Sequence, residues 1–391
     1  MKVLHICTSD EGGAGLCCLR LHNALLKEGV DSKVVVNVKT RDYPEEYQYR
    51  PFASWLGFLP SRILHKIGLE VTEYNKVWAL GVKQHAFYSR PVSSIDLTKF
   101  ELYDWADIIH LHWVNDFLDY PSFFRKTKKK IVWTLHDENL FYGIAHGGVS
   151  VLHDNEVEKK YKKIKLESVK SSENLNIVFL SNMMYDQFGN DEIIKGRNKT
   201  IIHNSVDGNV FIRYDKTAMR KKYGISQNKM VFLFMSSDIG NPLKGLHLLV
   251  QSINELDLKD VEIMALGNNA SNMSNPIVRT FGNIKDMNVL SELISSADYY
   301  AMPSSHEAFA QSPMEAMACG LPVVAFPVSG TKELINESNG IVCSDFTVEA
   351  LSEGIKQLMS RTYNPTYIRT DVLNRFSPSA IAKQYISYYQ K

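Results

Sequence analysis

The chain has 391 residues, enough for two domains with separate cores, and its 45% hydrophobic and 22% charged content is that of an ordinary globular protein. A formal net charge of +1 excludes a global positive field that would recruit nucleic acid. The five cysteines (Cys7, Cys17, Cys18, Cys319, Cys343) are odd in number and form no Cys-x-x-Cys, which argues against a disulfide framework or zinc ribbon and for a reducing, cytoplasmic setting.

Met1-Lys2-Val3-Leu4-His5-Ile6 reads as a short buried strand, its apolar run too short for a signal peptide. No later stretch approaches membrane-spanning length. Strand-like runs then alternate with helical patterns, which implies βαβ units and parallel sheets. A strand over 3–7 leads into the turn Asp10-Glu11-Gly12-Gly13-Ala14-Gly15 and a helix over 16–27; strands follow at 32–38, 108–111, 131–135, 177–180 and 199–203. Residues 50–90 break the pattern with an apolar, partly basic insertion. It reads either as a helical hairpin packed on its own domain or, over 51–67, as a peripheral surface touching the membrane or a lipid-linked acceptor. The basic runs at 125–130 and 159–165 read as solvated faces, or alternatively as surfaces for anionic lipid or an acidic acceptor. The pattern restarts around 204–215, with strands at 230–235, 261–266, 277–281, 298–302, 323–326 and 341–342 and helices at 245–256, 287–295 and 347–359. Two doubly wound α/β domains are therefore expected, 1–204 and 205–376. A closing helix over 377–391 carries Ile381, Tyr385, Ile386 and Tyr389 on one side.

Four motifs carry chemistry. In the first, an apolar strand ends at Pro303, and Ser312 reads as the N-cap of a helix with Pro313 first and Glu315 third, a capping-box pattern closed by Gly320. Glu307 and Glu315 thus flank a strand–loop–helix junction at the carboxyl end of a parallel strand, where open α/β sheets bind ligands and a helix N-terminus attracts anions. Carboxylates for hydroxyls beside amides for phosphate suit a sugar nucleotide. On spacing alone, Glu315 reads equally as a capping residue and Glu307 as a solvated loop residue. The second motif is the glycine turn, where Gly12 and Gly13 permit close backbone approach to a ligand. The third is Lys244-Gly245, a lysine set against a helix dipole, which is easier to understand if it holds an anion. In the fourth, Trp133-Thr134-Leu135-His136-Asp137 puts His136 and Asp137 at a strand end, and His110 and His112 point the same way from the neighbouring one. Core histidines are the bland reading. A metal cluster of these with His146 is disfavoured, since no Glu or Cys sits at ligand spacing.

Glu307-x7-Glu315, with Phe309 after the first glutamate and Ala-Met-Ala-Cys-Gly-Leu-Pro-Val-Val after the second, resembles the signature of family 4 retaining glycosyltransferases. Ile201-Ile202-His203-Asn204-Ser205-Val206-Asp207 is similar to that family's interdomain turn, with Ser205 in place of glycine. The resemblance implies the GT-B fold: two Rossmann-like domains facing across a cleft, the last helix crossing back to the first domain. It implies a hexosyltransferase-type enzyme moving sugar from a nucleotide-sugar donor to the hydroxyl of a glycan or lipid-linked acceptor, in polysaccharide or glycolipid biosynthesis. The expected setting is the cytoplasm or the inner face of the membrane. In this resemblance Glu315 binds the ribose, and Glu307 contacts the donor sugar. The Phe309, Ala310 and Gln311 backbone with Lys244 holds the diphosphate. Gly12 and Gly13 face donor phosphates and acceptor, His136 orients sugar and acceptor, and His110, His112 and Asp137 lie on the acceptor side. No protein nucleophile, cofactor or metal is expected; no Asp-x-Asp occurs to hold a divalent cation. The family's arginine five residues before the lysine is Ile239 here, which leaves Lys244 alone or Arg279 as substitute. Competing readings are an epimerase of the same fold, a non-catalytic sugar-nucleotide binder, and a nicotinamide-dependent dehydrogenase, whose glycine spacing the first turn lacks.

Overall fold

Alternating apolar strands and amphipathic helices build two all-parallel sheets in this computed structural model, which describes residues 1–49, 73–84, 86–269 and 275–391. The 51–67 surface of the sequence reading lies outside the described residues. Backbone contacts divide the chain into two units. One comprises Met1–Leu180, Met184–Ile202 and Ala382–Lys391, the other Ser181–Met183 and His203–Ile381.

The first unit holds strands β1 (Lys2–Ser9), β2 (Asp31–Val38), β3 (Glu46–Gln48), β4 (Ile108–Leu111), β5 (Lys130–Thr134), β6 (Leu175–Phe179) and β7 (Asn198–Ile201), in the spatial order β3-β2-β1-β4-β5-β6-β7. Every residue of β4 and β6 is buried, as expected of strands covered on both faces. The order reverses between β1 and β4, where His5 and His110 are register partners. Helix α1 (Gly12–Lys27) follows β1 at once. Gly12 has φ +72°, open to glycine, and a Cβ on Gly15 would stand 2.5 Å from Ser9 O, so the helix can only start this close to the strand without side chains. Buried Asp10 accepts from Thr40 N, Thr40 Oγ1 and Arg41 N, tying the turn to the loop after β2.

Strand β3 escapes the sequence reading, and it brings in an enclosed carboxylate. Neither Glu46 side-chain oxygen has a hydrogen-bond partner among the described residues, and Lys39 Nζ stands 3.9 Å away. Burial, then the nearby Asp10 charge, pushes its pKa from 4.5 up to about 7. A folded pKa above the unfolded one stabilises below about 4.5, and that stability is lost as pH rises through about 7. Glu46→Gln should therefore raise the melting temperature at pH 8, by roughly 2 kcal/mol of stability, and change it little at pH 4.5. An equal effect at both pH values in thermal melts would show that the carboxylate's charge is not the cause.

The second unit holds β8 (Met230–Asp238), β9 (Val261–Asn268), β10 (Val278–Gly282), β11 (Tyr299–Met302), β12 (Val323–Ala325) and β13 (Gly340–Val342), ordered β10-β9-β8-β11-β12-β13. The order reverses between β8 and β11, which places the loops after these two strands at a ligand-binding crevice.

Two more helices need correction. In α2 (Glu156–Lys170) the reading of 159–165 as a solvated face holds for Lys159, Lys160, Lys162 and Lys163, but Lys165 is fully buried. In the last helix, α3 (Pro378–Gln390), Tyr388 is buried and Ile386 only half-buried. Residues Ala382–Lys391 group with the first unit, where Tyr385 and Tyr389 reach Thr134 and His110, and Lys130 Nζ donates to Tyr389 O (2.9 Å) near the helix end.

Candidate functional site

In the second unit the loops after β8 and β11 are joined directly. Ser305 N donates to Leu243 O (2.9 Å), and Gly245 adopts φ +77° against the Pro303 carbonyl, a place no Cβ can occupy. The junction brings Lys244 and Glu307 together: Nζ lies 2.6 Å from Oε1, and Ser304 Oγ donates to the same oxygen at 2.9 Å. Both side chains keep about a quarter of their surface open, 28% and 21%. A surface ion pair of this kind adds little stability, so stability does not account for two half-buried charges at a strand-end crevice. Lys244 ends a short 3-10 turn (Pro242–Lys244) immediately before helix Leu246–Glu255, with Gly245 as that helix's N-cap.

Glu315 lies half-buried in the first turn of helix Ser312–Ala318. Both it and Glu307 act on the buried Tyr300 phenol, whose pKa is raised by burial first and then by these two carboxylates. The capping box is not formed. Ser312 is the first helical residue and accepts from Tyr300 Oη at 2.7 Å, and the N-cap is Gln311, without a side-chain cap bond. The Tyr300 hydroxyl, unforeseen in the sequence, out-competes the helix amides for that serine.

Phe309 is buried and is packed, not presented. Its ring stacks on His203 (centroids 5.1 Å, 22°) and covers Gly330, where any Cβ would collide with it. Asn204 Nδ2 donates to Phe309 O at 3.4 Å. The turn at 203–205 thus fixes the loop whose half-buried Ala310 and Gln311 lead into the helix. Arg279 does not replace the absent arginine: it sits near the start of edge strand β10, donating to Tyr223 O and Gly224 O. Ile239 is buried in the apolar core against Gly267. A side chain that fills this core cannot reach an anion.

In the first unit the middle of β1 and the carboxyl ends of β4 and β5 gather a file of histidines. His5 Nδ1 and His112 Nε2 are 2.9 Å apart, as are His112 Nδ1 and His136 Nε2. His110 bonds Tyr389 Oη (2.6 Å) and Thr134 Oγ1 (2.8 Å). His5, His110 and His112 are buried, whereas His136 is partly open. Burial, reinforced by neighbouring histidines, holds the first three far below their ordinary pKa; burial brings His136 to about 4 despite Asp137. His110 and His112 stand behind His136, with all four of their ring nitrogens engaged. Nitrogens of His5, His110 and His112 come within 4.8 Å of one another. Hydrogen bonds already use five of those six nitrogens, which does not suit a metal.

Asp137 is also consumed locally. Oδ2 accepts from Trp113 Nε1 (2.7 Å) and His146 Nδ1 (2.6 Å), and Oδ1 from Asn139 N (3.0 Å). Burial alone would raise its pKa, but His146 and these donors hold it lowered. Helix α2 braces the same loop from behind. Glu158 accepts from Gly143 N and Ile144 N, and Lys165 Nζ donates to Asn139 O, Asn139 Oδ1 and Tyr142 O. Burial lowers the Lys165 pKa to about 7. Sequence reasoning missed His5, Glu158 and Lys165. His5 carried a signal, since its place in an apolar strand marks a buried histidine; Lys165 carried none inside a lysine-rich run.

Residues 215–371 match the family model described as "Glycosyl transferases group 1". A D-inositol 3-phosphate glycosyltransferase of Mycobacteroides abscessus is 29% identical over 175 residues, covering 41% of this chain and 39% of that protein. The N-acetyl-alpha-D-glucosaminyl L-malate synthase of Bacillus anthracis is 26% identical over 216 residues, 51% of this chain and 55% of that protein. The matches thus span only 39% and 55% of the length of these curated relatives. Anabaena HepE, solved in complex with UDP and glucose, shares 17% identity and a TM-score of 0.65 over 100% of both chains, a likeness of fold. Two parallel-sheet Rossmann-like domains of the GT-B type are therefore the architecture of this chain.

Proposed function

We propose that the chain is a family 4 retaining glycosyltransferase, with the nucleotide-sugar donor bound by the second unit. The observation that carries this reading is the Lys244–Glu307 pair where the loops after β8 and β11 meet, with Glu315 in the helix that follows. Glu307 neutralises Lys244 while no donor is present. The donor diphosphate takes over the ammonium, and Glu307 then accepts from a sugar hydroxyl. Glu315 accepts from the ribose hydroxyls. Amides of Phe309, Ala310 and Gln311 approach the diphosphate, without a metal. As the sugar–phosphate bond breaks, Lys244 stabilises the departing phosphate. The acceptor oxygen attacks the same face and its proton passes to that phosphate. In this reading His136 and the Gly12-Gly13 turn of the first unit serve the acceptor. The acceptor is a glycan or lipid-linked glycan in polysaccharide or glycolipid assembly on the cytoplasmic side; among the described residues no helix is long and apolar enough to cross a membrane.

A thermal-shift series with UDP-, GDP-, ADP- and CMP-sugars in EDTA tests the reading. One nucleotide class should raise the melting temperature, and Glu315→Ala should abolish that shift and raise donor KM by at least about tenfold, the loss expected for hydrogen bonds to a charged group. Stabilisation by none of the four classes would refute it.

A further inference from the structure

The histidine file has a direction, and one orphaned atom sets it. His5 Nε2 is buried with no hydrogen-bond partner among the described residues. A neutral imidazole has one N–H and one lone pair. An enclosed N–H without an acceptor is rarer in folded proteins than an enclosed acceptor without a donor. The His5 proton therefore sits on Nδ1, where it donates to His112 Nε2. His112 must then carry its own proton on Nδ1 and donate it to His136 Nε2. His136 in turn is left with its proton on Nδ1, the ring nitrogen that has no hydrogen bond among the described residues. The reverse direction would strand the His5 Nε2 proton in the core and leave His136 facing outward with a bare lone pair.

We propose that His5 and His112 are positioning residues that fix His136 as the Nδ1–H tautomer, so that its open edge is a hydrogen-bond donor aimed at an oxygen of the ligand. The file must be neutral for each ring to hold a single proton, and burial keeps every member so. The titratable groups around the open end are Asp137, tied to Trp113 and His146, and His146 itself, tied also to Ser89; among the described residues neither is hydrogen-bonded to His136. The rest of the cluster is held separately, His110 by Tyr389 and Thr134. The consequence for chemistry is specific. His136 offers an N–H to a sugar hydroxyl or carbonyl oxygen and does not take a proton, which agrees with a reaction in which the leaving phosphate is the base. That second step rests on the transferase reading; the tautomer does not.

Histidine-labelled wild-type protein at pH 7.5, with no substrate, decides the first step. The 15N shifts of His136 should report a protonated Nδ1 and an unprotonated Nε2. An Nε2–H or doubly protonated His136 overturns the inference whether or not the protein transfers sugar. His5→Phe removes the donor at the head of the file, and His136 should then become a mixture of tautomers, with kcat down by about tenfold, the worth of one hydrogen bond, and donor KM unchanged. His5→Asn, whose amide nitrogen stands near the Nδ1 position, should restore both. If His5→Phe does not fold, the wild-type spectrum and His5→Asn still decide. A His5→Phe protein with wild-type His136 shifts would show that the file does not set the tautomer.

Discussion

Lys244→Ala should lower kcat for sugar transfer by about 10²–10³, the effect of removing one preorganised group from a developing anion, with the fold intact. Among the described residues its ammonium has one polar partner, Glu307 Oε1, 2.6 Å from Nζ, and a half-open ion pair contributes at most about 1 kcal/mol. Melting temperature and activity should therefore separate: little of the first lost, nearly all of the second. Glu307→Ala makes the test sharper. It leaves Lys244 without its carboxylate, so the ammonium is free to hold a nucleotide diphosphate more tightly, while transfer slows because the sugar has lost its acceptor. Nucleoside diphosphate affinity should thus rise in Glu307→Ala and fall in Lys244→Ala, and the double variant should behave like Lys244→Ala alone. Parallel losses of diphosphate affinity in both single variants would mean that the pair acts as a structural clamp.

The parts of this arrangement that were legible in the sequence are those governed by periodicity and by strand ends. The strand at 108–111 and the helix at 287–295 coincide with Ile108–Leu111 and Met287–Ser295 in the structure, because each is a run whose apolar spacing has one reading. Glu307 and Lys244 could be placed at carboxyl ends of parallel strands, since chain order fixes which end of each strand its loop leaves. Their direct contact could not, because it depends on β8 and β11 being neighbours across the reversal of strand order. Partner choice was similarly invisible. Ser312 has the residue type and spacing of a cap, yet Tyr300, twelve positions earlier, claims its hydroxyl. His110 and His112 alternate correctly along a strand, but a strand buried on both faces hides both of its faces. Lys165 shows the same limit. A lysine on a lysine-rich helix reads as solvated, and only the three oxygens brought to it by the 139–142 loop explain its burial.

Gly245→Ala should be as damaging to function as loss of the lysine beside it, and more damaging to the fold. Two separate terms act. The residue has φ +77°, which costs an L-residue about 1–2 kcal/mol, and the new Cβ would lie 2.9 Å from the Pro303 carbonyl carbon and nearer still to its oxygen. Neither neighbour is the end of a flexible side chain. Pro303 is the first residue after β11, and the same loop carries Ser304 and Glu307, so relieving the overlap must pull the two loops apart. The Ser305–Leu243 bond and the Lys244–Glu307 contact lie across that seam. We expect a stability loss of roughly 2–4 kcal/mol, with donor kcat/KM down by about 10² or more, as for a displacement near 1 Å in a positioning group. Gly282→Ala is the control: its φ is +72°, but nothing lies within 4 Å of the added Cβ. It should lose only the conformational term and keep full activity. If Gly245→Ala and Gly282→Ala lost equal stability and Gly245→Ala bound the donor normally, the contact with Pro303 would not be what holds Lys244 in place.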